Sequence, residues 1–462
     1  MKKIYTLFLS LALSYQYFAQ TADDSLFIRR IFDEALTNGK CYQVLEHLCK
    51  KIGPRLTGMK GAYDAVDYMK FVMETQGFDR VFLQEVDIPR WVRGNVQTAH
   101  IVSKKAMIPV NICALGGTVA TPTEGISAEV VEVFGIEEIE ERKDEIKGKI
   151  VFYNRPMDPR LIHTFSAYGG CVDQRYHGAS KASQYGAKAV VVRSVTHADD
   201  DFPHTGSMGY DSLYPRIPAV AISTKGAKLL SQMLKEEPKL KFKYTIDSRL
   251  LPDTISHNVI GEIKGVNANS FIIVGGHLDA WDNGEGAHDD GAGCVHSIEA
   301  VRILKDLGYK PIHTLRSVMF MNEENGLRGG NRYAEEARLK KERHLAAIES
   351  DRGGFTPRGF FIDFDERTIA YLERYKKLLE PYGIHIIQRG GSGADISPMK
   401  KDGVMLIGFV PDSQRYFDYH HAASDTFDKV NRRELELGAA SIAALMYLLD
   451  KYSNEIFSPQ PN

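Results

Sequence analysis

The stretch FIIVGGHLD, residues 271–279, decides the fold class of this chain. Its first four residues form an apolar run of strand length, and Gly275-Gly276, His277 and Asp279 follow directly. Apolar runs without polar alternation are typical of strands that a sheet buries on both faces. In open α/β sheets, ligand groups collect just past the ends of such strands. We therefore expect the chemistry of this protein to begin at His277.

The second half of the chain repeats this pattern. Three further apolar runs read as buried strands, at 317–321, 345–348 and 405–410. Helical patterns lie between or after them, at 294–307, 331–342, 367–379 and 433–452. This alternation predicts an α/β domain over 248–462, with a sheet covered by helices on both faces.

The first half of the chain differs in character. Residues 25–77 have helical spacing, and 82–88 and 98–102 read as strands. Gly, Thr and Pro punctuate residues 116–124, and from there to 247 the pattern is that of a compact β-rich unit. A connection rich in Pro and Ser follows at 252–258. We expect an N-terminal segment over 21–115 and an inserted unit over 116–247.

The N-terminus has a secretory pattern. Lys2 and Lys3 precede an apolar run over residues 4–13, and a cleavage point is predicted near residues 19–21. Because the run is too short to span a bilayer, we expect a signal peptide over 1–20 and a secreted or periplasmic mature protein without a membrane span. The cysteines number five, an odd count with no CxxC pair, which disfavours a thiolate metal site.

A net charge of -2 provides no basic surface for a phosphate backbone, so nucleic acid is excluded as a partner. The polar residues that follow the apolar runs instead indicate metal chemistry. They are His277 with Asp279, Asp289-Asp290, Glu323-Glu324, Asp351, and His420-His421. Histidine and carboxylate ligands without thiolate suit zinc, although other divalent ions use them too.

Two metal ions about 3.5–4 Å apart supply both needs of peptide hydrolysis, a bridging hydroxide as nucleophile and polarisation of the carbonyl. A bridging carboxylate is then expected between them. Adjacent carboxylates such as Glu323 and Glu324 point in different directions, so one binds metal while the other acts as general base. Asp279 is expected to fix the tautomer of His277 by accepting a hydrogen bond from its ring.

Each of these motifs alone has a plainer structural explanation. A single His-x-Asp is more often structural, and Glu-Glu before a helix favours the helix dipole. Asp-Asp-Gly is usually a turn or a helix cap. The order of all of them, each at a strand end, favours the metal site.

These motifs resemble those of peptidase family M28, the co-catalytic zinc aminopeptidases and carboxypeptidases. The resemblance includes GGHLDAWD at 275–282, GAHDDGAG at 286–293, NEEN at 322–325 and IESD at 348–351, and it extends to IGPRLTG at 52–58. It implies a mixed, mostly parallel sheet of the zinc exopeptidase type. It also implies that the insert is a protease-associated domain.

The resemblance assigns roles to the matching residues. Asp289 would bridge two zinc ions, His277 and Asp351 would complete one site, and Glu324 and His421 the other. Glu323 would be the general base. His421 is preferred over His420 because the family places its ligand four residues before an acidic residue, here Asp425.

Four further residues are predicted to contact substrate or the tetrahedral intermediate: Tyr419, His420, Asp395 and Arg389. Asp395 follows a glycine-rich segment, where a loop-to-helix cap is an equally good explanation.

The function expected is hydrolysis of dipeptides or short peptides with a free terminus, and the resemblance allows a homodimer. Two alternatives belong to other classes. A non-catalytic binding protein of this fold should have lost ligands or the base, whereas all six positions are present. A glutaminyl cyclase of related fold would bind a single zinc ion, so metal stoichiometry separates it.

Overall fold

The computed structural model describes residues 22–457. Within them the chain forms two eight-stranded sheets with flanking helices. The predicted signal peptide over 1–20 lies outside the described residues. No helix within 22–457 combines the length and apolar character needed to cross a membrane. All five cysteines are buried free thiols.

The strands, in chain order, are β1 (Arg80–Val92), β2 (Gln97–Val102), β3 (Met107–Pro109), β4 (Ile112–Ala114), β5 (Ile126–Val133), β6 (Ile150–Tyr153), β7 (Ala189–Arg193), β8 (Ala219–Ile222), β9 (Lys241–Ile246), β10 (Arg249–Ile263), β11 (Asn267–His277), β12 (His313–Phe320), β13 (Arg343–Glu349), β14 (Pro357–Asp363), β15 (Ile386–Arg389) and β16 (Met405–Pro411). The α-helices are α1 (22–38), α2 (Cys41–His47), α3 (Lys60–Thr75), α4 (Glu138–Glu141), α5 (Lys143–Ile146), α6 (Thr164–Gly169), α7 (Asp173–Gln184), α8 (Thr224–Glu236), α9 (Ala292–Asp306), α10 (Arg328–Leu339), α11 (Glu366–Glu373), α12 (Lys376–Leu379), α13 (Tyr416–Tyr419), α14 (Arg432–Lys451) and α15 (Ser453–Phe457). Short turns of other helical types occur at Leu48–Ile52, Ala287–Gly291, Glu380–Tyr382, Ser397–Asp402 and Phe427–Lys429.

The first sheet has the order β1-β10-β12-β11-β13-β16-β14-β15. Its centre is parallel, because β11 pairs in parallel with both β12 and β13, and β13 pairs in parallel with β16. The strands β1, β10 and β14 add antiparallel pairs. The predicted α/β fold with a mixed, mostly parallel sheet is confirmed.

Helices cover both faces of this sheet. Along β11, Ile272 and Val274 pack into the core that α9 and α14 share. Their neighbours Phe271 and Ile273 pack into a second core on the opposite face, with Tyr333 of α10. Since successive strand residues face opposite sides, the uninterrupted apolar run is explained by burial on both.

The second sheet has the order β3-β2-β9-β5-β6-β7-β8-β4. It includes β2, β3 and β4, which precede the insert predicted over 116–247, because β2 pairs antiparallel with β9 and β4 with β8. The boundary of the insert at residue 116 stays a prediction, and the sheet also takes in strands that precede it. The pairing of β2 with β9 joins residues 139 to 149 positions apart, which local patterns do not reveal.

Three local features differ from the sequence-based expectations. The segment 252–258, predicted as a connection, lies within β10, which pairs with β1 over most of its length. Pro252 falls where that register shifts, so the missing N–H breaks no regular ladder. The strands β14 and β15 were not predicted, and the helix expected over 367–379 is divided into α11 and α12.

Candidate metal centre

Three neighbouring strands deliver most of the predicted site residues to one edge of the first sheet. His277 is the last residue of β11, Glu323 and Glu324 follow β12, and Asp351 follows β13. Because β12, β11 and β13 are adjacent and parallel, their carboxyl ends lie side by side. Asp289 lies in the turn that precedes α9, and its peptide bond to Asp290 is cis.

The carboxylate of Asp289 is the centre of the cluster. Its Oδ1 lies 3.2 Å from His277 Nε2, which in turn lies 3.5 Å from Asp351 Oδ1. Its Oδ2 lies 3.3 Å from His421 Nε2, which lies 3.1 Å from Glu324 Oε2. The five predicted ligands thus form two groups of three that share Asp289, with one of its oxygens facing each group.

The hydrogen bonds around this cluster fit bound cations. His277 Nδ1 lies 2.9 Å from the carbonyl oxygen of Asp279, and His421 Nδ1 lies 3.2 Å from that of Thr205. A ring that donates from Nδ1 to a carbonyl presents an unprotonated Nε2 for a metal. Among the described residues, Asp289 Oδ2 and Asp351 Oδ1 are buried without any hydrogen-bond donor. Since buried carboxylate oxygens require a partner, these atoms fit a metal ion.

The electrostatics of the cluster also favour cations. Burial, reinforced by Asp289, raises the pKa of Glu324 well above its usual value, and burial raises the pKa of Asp351 too. For His277, burial opposes the charged ring, but hydrogen bonds to Asp289 and Asp351 outweigh it and raise its pKa well above 6.5. Burial and His420 hold the pKa of His421 well below 6.5. The protein concentrates negative charge here without enough positive charge to balance it.

Glu323, the predicted general base, is half-buried and lines a cleft together with Asp289 and Asp351. Within residues 22–457, no hydrogen-bond donor contacts its carboxylate. Burial and the charge of nearby Asp351 raise its pKa to about 8. A carboxyl group with a pKa near neutrality exchanges protons readily at physiological pH.

Asp279 positions this turn by a different route from the one expected. The ring of His277 contacts the backbone carbonyl of Asp279, and not its carboxylate. The carboxylate instead accepts hydrogen bonds from the amides of Asn322 (2.7 Å), Glu323 (3.1 Å) and Glu324 (3.3 Å), and from the Thr57 hydroxyl (2.9 Å). Asp279 therefore fixes both glutamates as well as supporting His277.

Asp425 and Asp290 hold the Asp289 loop. Asp425 accepts hydrogen bonds from the amides of His288 (2.8 Å) and Asp289 (3.1 Å). Asp290 accepts from the amides of His277 (3.0 Å) and Gly293 (2.9 Å), the second contact being that of a helix cap. The ring of His288 stacks on Phe355 at 4.1 Å, so His288 packs beside the site.

The insert contributes directly to the site. The amide of Thr205 donates to the His421 carbonyl at 3.0 Å, and the Thr205 carbonyl lies 3.2 Å from His421 Nδ1. His204 Nδ1 lies 2.7 Å from the carbonyl oxygen of His420. Arg175 of α7 lies behind them, with Nη1 3.5 Å from His421 Nδ1. The arginine donates to Tyr168 Oη at 2.8 Å and to the Thr205 carbonyl at 3.3 Å. The two sheets therefore build one active-site cleft between them.

This cleft has a volume of about 480 Å³. Catalytic-domain residues line one side, and α6, α7 and the loop after residue 206 line the other. Of the four predicted substrate contacts, His420 lines the cleft, with Nε2 3.7 Å from Asp289 Oδ2.

The other three predicted contacts do not line the cleft. Tyr419 stacks against His288, and Tyr416, one helical turn earlier, reaches the cleft instead. Asp395 is buried, and no described residue donates to its carboxylate. Arg389 is on the outer strand β15 and pairs with Glu366. The loop-to-helix pattern at Asp395 and the charge of Arg389 are properties of short segments. They do not show which residues the fold brings to the cleft.

Arg175, Asp425 and Thr205 are the residues that sequence patterns missed. Both Arg175 and Thr205 lie in the insert, far in sequence from every metal-ligand motif. Thr205 belongs to the segment PHTG at 203–206, which is part of the family resemblance, whereas no local signal distinguishes Arg175. In the sequence argument, Asp425 served only to select His421 as the ligand over His420. In the structure, its buried carboxylate accepts two amide hydrogen bonds and positions Asp289.

Comparison with known proteins agrees with this geometry. The model of peptidase family M28 matches residues 258–446. Carboxypeptidase Q of Homo sapiens is 33% identical over 411 residues, which cover 89% of this chain and 85% of that protein. Carboxypeptidase Q of Xenopus laevis is 34% identical, over 89% of this chain and 86% of that protein.

Solved structures show the same relationship. A peptidase M28 precursor from Shewanella amazonensis SB2B superimposes with a TM-score of 0.88 at 32% identity, covering 93% of this chain and 97% of that one. A zinc aminopeptidase from Bacillus subtilis shares the fold, with a TM-score of 0.65 at 21% identity over 89% and 95% of the two chains. The chain therefore belongs to peptidase family M28 and is a metallo-exopeptidase.

Proposed function

We propose that this protein is an exported di-zinc exopeptidase that hydrolyses dipeptides and short peptides with a free terminus. The observation that carries the proposal is the position of Asp289, whose two carboxylate oxygens face two separate histidine-carboxylate pairs at 3.2 and 3.3 Å. His277 and Asp351 would hold one zinc ion, and Glu324 and His421 the other. A single metal ion would require all five side chains to converge on one point, whereas these side chains converge on two points, one on each side of Asp289.

The zinc ions that these five side chains would hold would supply Lewis-acid polarisation of the scissile carbonyl and a more acidic water. Glu323 then accepts a proton from the attacking water and donates it to the leaving amine. The Asp279 carboxylate holds Glu323 in place by accepting a hydrogen bond from the backbone amide of Glu323. His420 lies at the same face of Asp289 as His421 and is placed to contact substrate.

Arg175 supports recognition of a free carboxylate. Its side chain is 6% exposed in the folded chain, and no carboxylate of the described residues forms an ion pair with it. Its Nε is buried without an acceptor. A buried guanidinium requires an anion as its partner. We propose that Arg175 binds the C-terminal carboxylate of a substrate in the adjoining cleft.

The role of Glu323 is tested with Glu323→Gln, which removes the base but keeps the shape. We expect kcat to fall by about 10²- to 10⁴-fold, the usual contribution of general acid–base catalysis, while zinc content stays the same. Glu335→Gln, on the exposed face of α10, is the matched control. Wild-type turnover by Glu323→Gln would remove Glu323 as the base.

Arg175 is tested with Arg175→Met, using a dipeptide and its C-terminal amide. We expect kcat/KM for the free dipeptide to fall about 10- to 100-fold, as for the loss of hydrogen bonds to a charged group. The amide should change little, so that the preference for the free carboxylate disappears. Equal losses on both substrates would contradict carboxylate recognition.

Metal analysis separates the alternatives. Two zinc ions per chain by elemental analysis support the proposal, whereas one tightly bound ion favours a glutaminyl cyclase. A metal-loaded protein that releases no amino acid from a peptide library favours a binding protein.

Export and assembly are also proposals. Export rests on the secretory pattern of residues 1–20, and the N-terminal sequence of protein recovered outside the cytoplasm tests it. The homodimer rests on family resemblance, and light scattering of the purified protein tests it.

A further inference from the structure

A second cavity lies directly beside the active-site cleft. This distal groove has a volume of about 440 Å³, and its lining includes Arg352, Arg358, Phe361, His385 and Gln388. Phe165 of α6 lines both the groove and the cleft. The ring of Phe165 is therefore part of the wall between them.

Packing on several sides holds this ring in place. It stacks on Tyr416 at 5.4 Å and meets the edge of Phe417 at 4.8 Å. From the groove side, the guanidinium of Arg352 lies 4.9 Å from its centroid. The preceding residue, Thr164, bonds to the carbonyl and hydroxyl of Ser413 at 3.0 and 2.8 Å. These contacts make the wall a rigid part of the interface between α6 and the catalytic domain.

Arg175 and the residue that contacts the wall, Arg352, lie beside different groups of metal ligands. Arg175 lies beside His421, whereas Arg352, which contacts Phe165, directly follows Asp351 in the chain. His421 and Asp351 belong to the two different ligand groups on either side of Asp289. A peptide whose carboxylate meets Arg175 and whose scissile bond lies at Asp289 can extend its amino end toward the Asp351 group, where Arg352 contacts Phe165.

The lining of the distal groove contains two arginines and one aspartate, Asp412. Arg352 lies 5.2 Å from the Phe361 centroid and donates to the Gly391 carbonyl at 2.9 Å. It forms no ion pair within 4.0 Å among the described residues, although Asp351 and Glu349 lie near enough to favour its charge. Arg358 pairs with Asp412 at 3.0 Å, and His385 lies nearby. An acidic side chain in this groove would compensate the charge of Arg352.

We propose that Phe165 sets the length of the substrate. Its ring closes the cleft on the amino side of the scissile bond, so that dipeptides fit and longer peptides collide with it. Removal of the ring joins cleft and groove and admits an N-terminal extension, with an acidic residue preferred. This inference rests on the proposed peptidase function and on carboxylate binding by Arg175.

The experiment compares Ala-Phe with Glu-Ala-Phe and Lys-Ala-Phe, using zinc-loaded wild type, Phe165→Ala and Phe165→Val. Release of free phenylalanine, measured by chromatography, follows the same Ala–Phe bond in all three substrates. We expect each variant to raise the ratio of kcat/KM for Glu-Ala-Phe to that for Ala-Phe at least about tenfold, the lower range of discrimination by pocket shape. The gain for Lys-Ala-Phe should be smaller.

Phe361→Ala is the matched control, because it removes an aromatic contact of Arg352 on the groove side and leaves the wall intact. We expect it to keep the wild-type ratio. An unchanged ratio in both Phe165 variants, or equal gains for the two tripeptides, overturns the proposal, as does wild-type enzyme that cleaves Glu-Ala-Phe as well as Ala-Phe. Absence of Ala-Phe hydrolysis by the wild type would instead refute the proposed function itself.

Discussion

Gly206 lies where the insert meets two functional side chains. Its φ of 139° is unfavourable for other residues, and an added Cβ would lie 2.4 Å from Arg175 Cζ and 2.7 Å from His421 Nδ1. We expect Gly206→Ala to displace both side chains and to lower kcat/KM by more than about tenfold, with weaker zinc retention. Activity assays and metal analysis check this, with Gly169→Ala, which has open space around its Cβ, as control. Full activity in Gly206→Ala would show that this junction tolerates movement.

Asp279 yields a second prediction at the same scale. Asp279→Ala removes the acceptor for three consecutive backbone amides, those of residues 322–324. Because buried amides without acceptors cost free energy, we expect the turn to shift, zinc affinity to fall about 10- to 100-fold, and kcat to fall with it. Zinc titration with a competing chelator measures the affinity. Loss of activity with unchanged zinc affinity would contradict this role.

Site residues could be predicted where a neighbouring sequence pattern determines their position. They could not be predicted where their position depends on contacts between distant segments. Residues at strand ends, such as His277 and Glu324, follow from the apolar runs before them, and the structure brings them together. Asp279 has the predicted supporting place, but which of its oxygens meets His277 depends on the turn after β12. Arg175 reaches the cleft only because the insert folds against it, a contact between segments 246 residues apart.

Among the elements, α14 offers a direct test of stability. Asn431 is the N-cap residue of this 20-residue helix. Its side chain accepts hydrogen bonds from the amides of Arg433 (3.0 Å) and Glu434 (3.1 Å). We expect Asn431→Ala to lower the free energy of unfolding by about 1 kcal/mol, the usual contribution of an N-cap. Denaturant unfolding measures it, with exposed Arg433→Ala as control. An unchanged free energy would mean that packing of α14 against α9 determines the helix start.

Element prediction succeeded for the buried central strands of the first sheet and failed for β10, β14 and β15. β11, β12, β13 and β16 have uninterrupted apolar runs because helices cover both faces. β10 has polar residues and Pro252 in its first half, where its burial is partial, so its strand character comes from pairing with β1. The pairing of β2 with β9 likewise joins residues before the predicted insert to residues within it, and no local pattern reveals it.

In the whole molecule, each sheet and its flanking segments contribute different residues to the site. The first sheet supplies every proposed metal ligand, and the second supplies Arg175, the contacts that hold His421, and Phe165. With substrate contacts at Arg175 and Phe165 as proposed, substrate selection would depend on how two units with separate cores pack together. Variation in the insert can change specificity without changing the metal site.

The buried charges of the site also make stability depend on metal and pH. Burial raises the pKa of Glu349 to about 7, that of Asp425 to about 7 and that of Glu323 to about 8. Each group binds a proton in the folded protein that the unfolded chain has already lost, so stability falls as the pH rises from about 4.5 to 8. Burial lowers the pKa of His204 and His288 to about 4, which has the opposite effect, but only below pH 6.5.

Between pH 7 and 8 the carboxyl groups therefore act in the same direction as His277, whose pKa is also raised, and stability falls with rising pH. For chelator-treated protein we expect the free energy of unfolding to fall over this interval by on the order of 1 kcal/mol, with half-buried Glu323 contributing less because solvent screens it. Zinc supplies the missing positive charge, so the zinc-loaded protein should be more stable and lose this slope. Thermal unfolding at pH 7 and 8, with and without zinc, measures both effects. Equal slopes in the two forms would mean that the carboxylates do not share their charge with bound metal, and the two-ion site would lose its electrostatic basis.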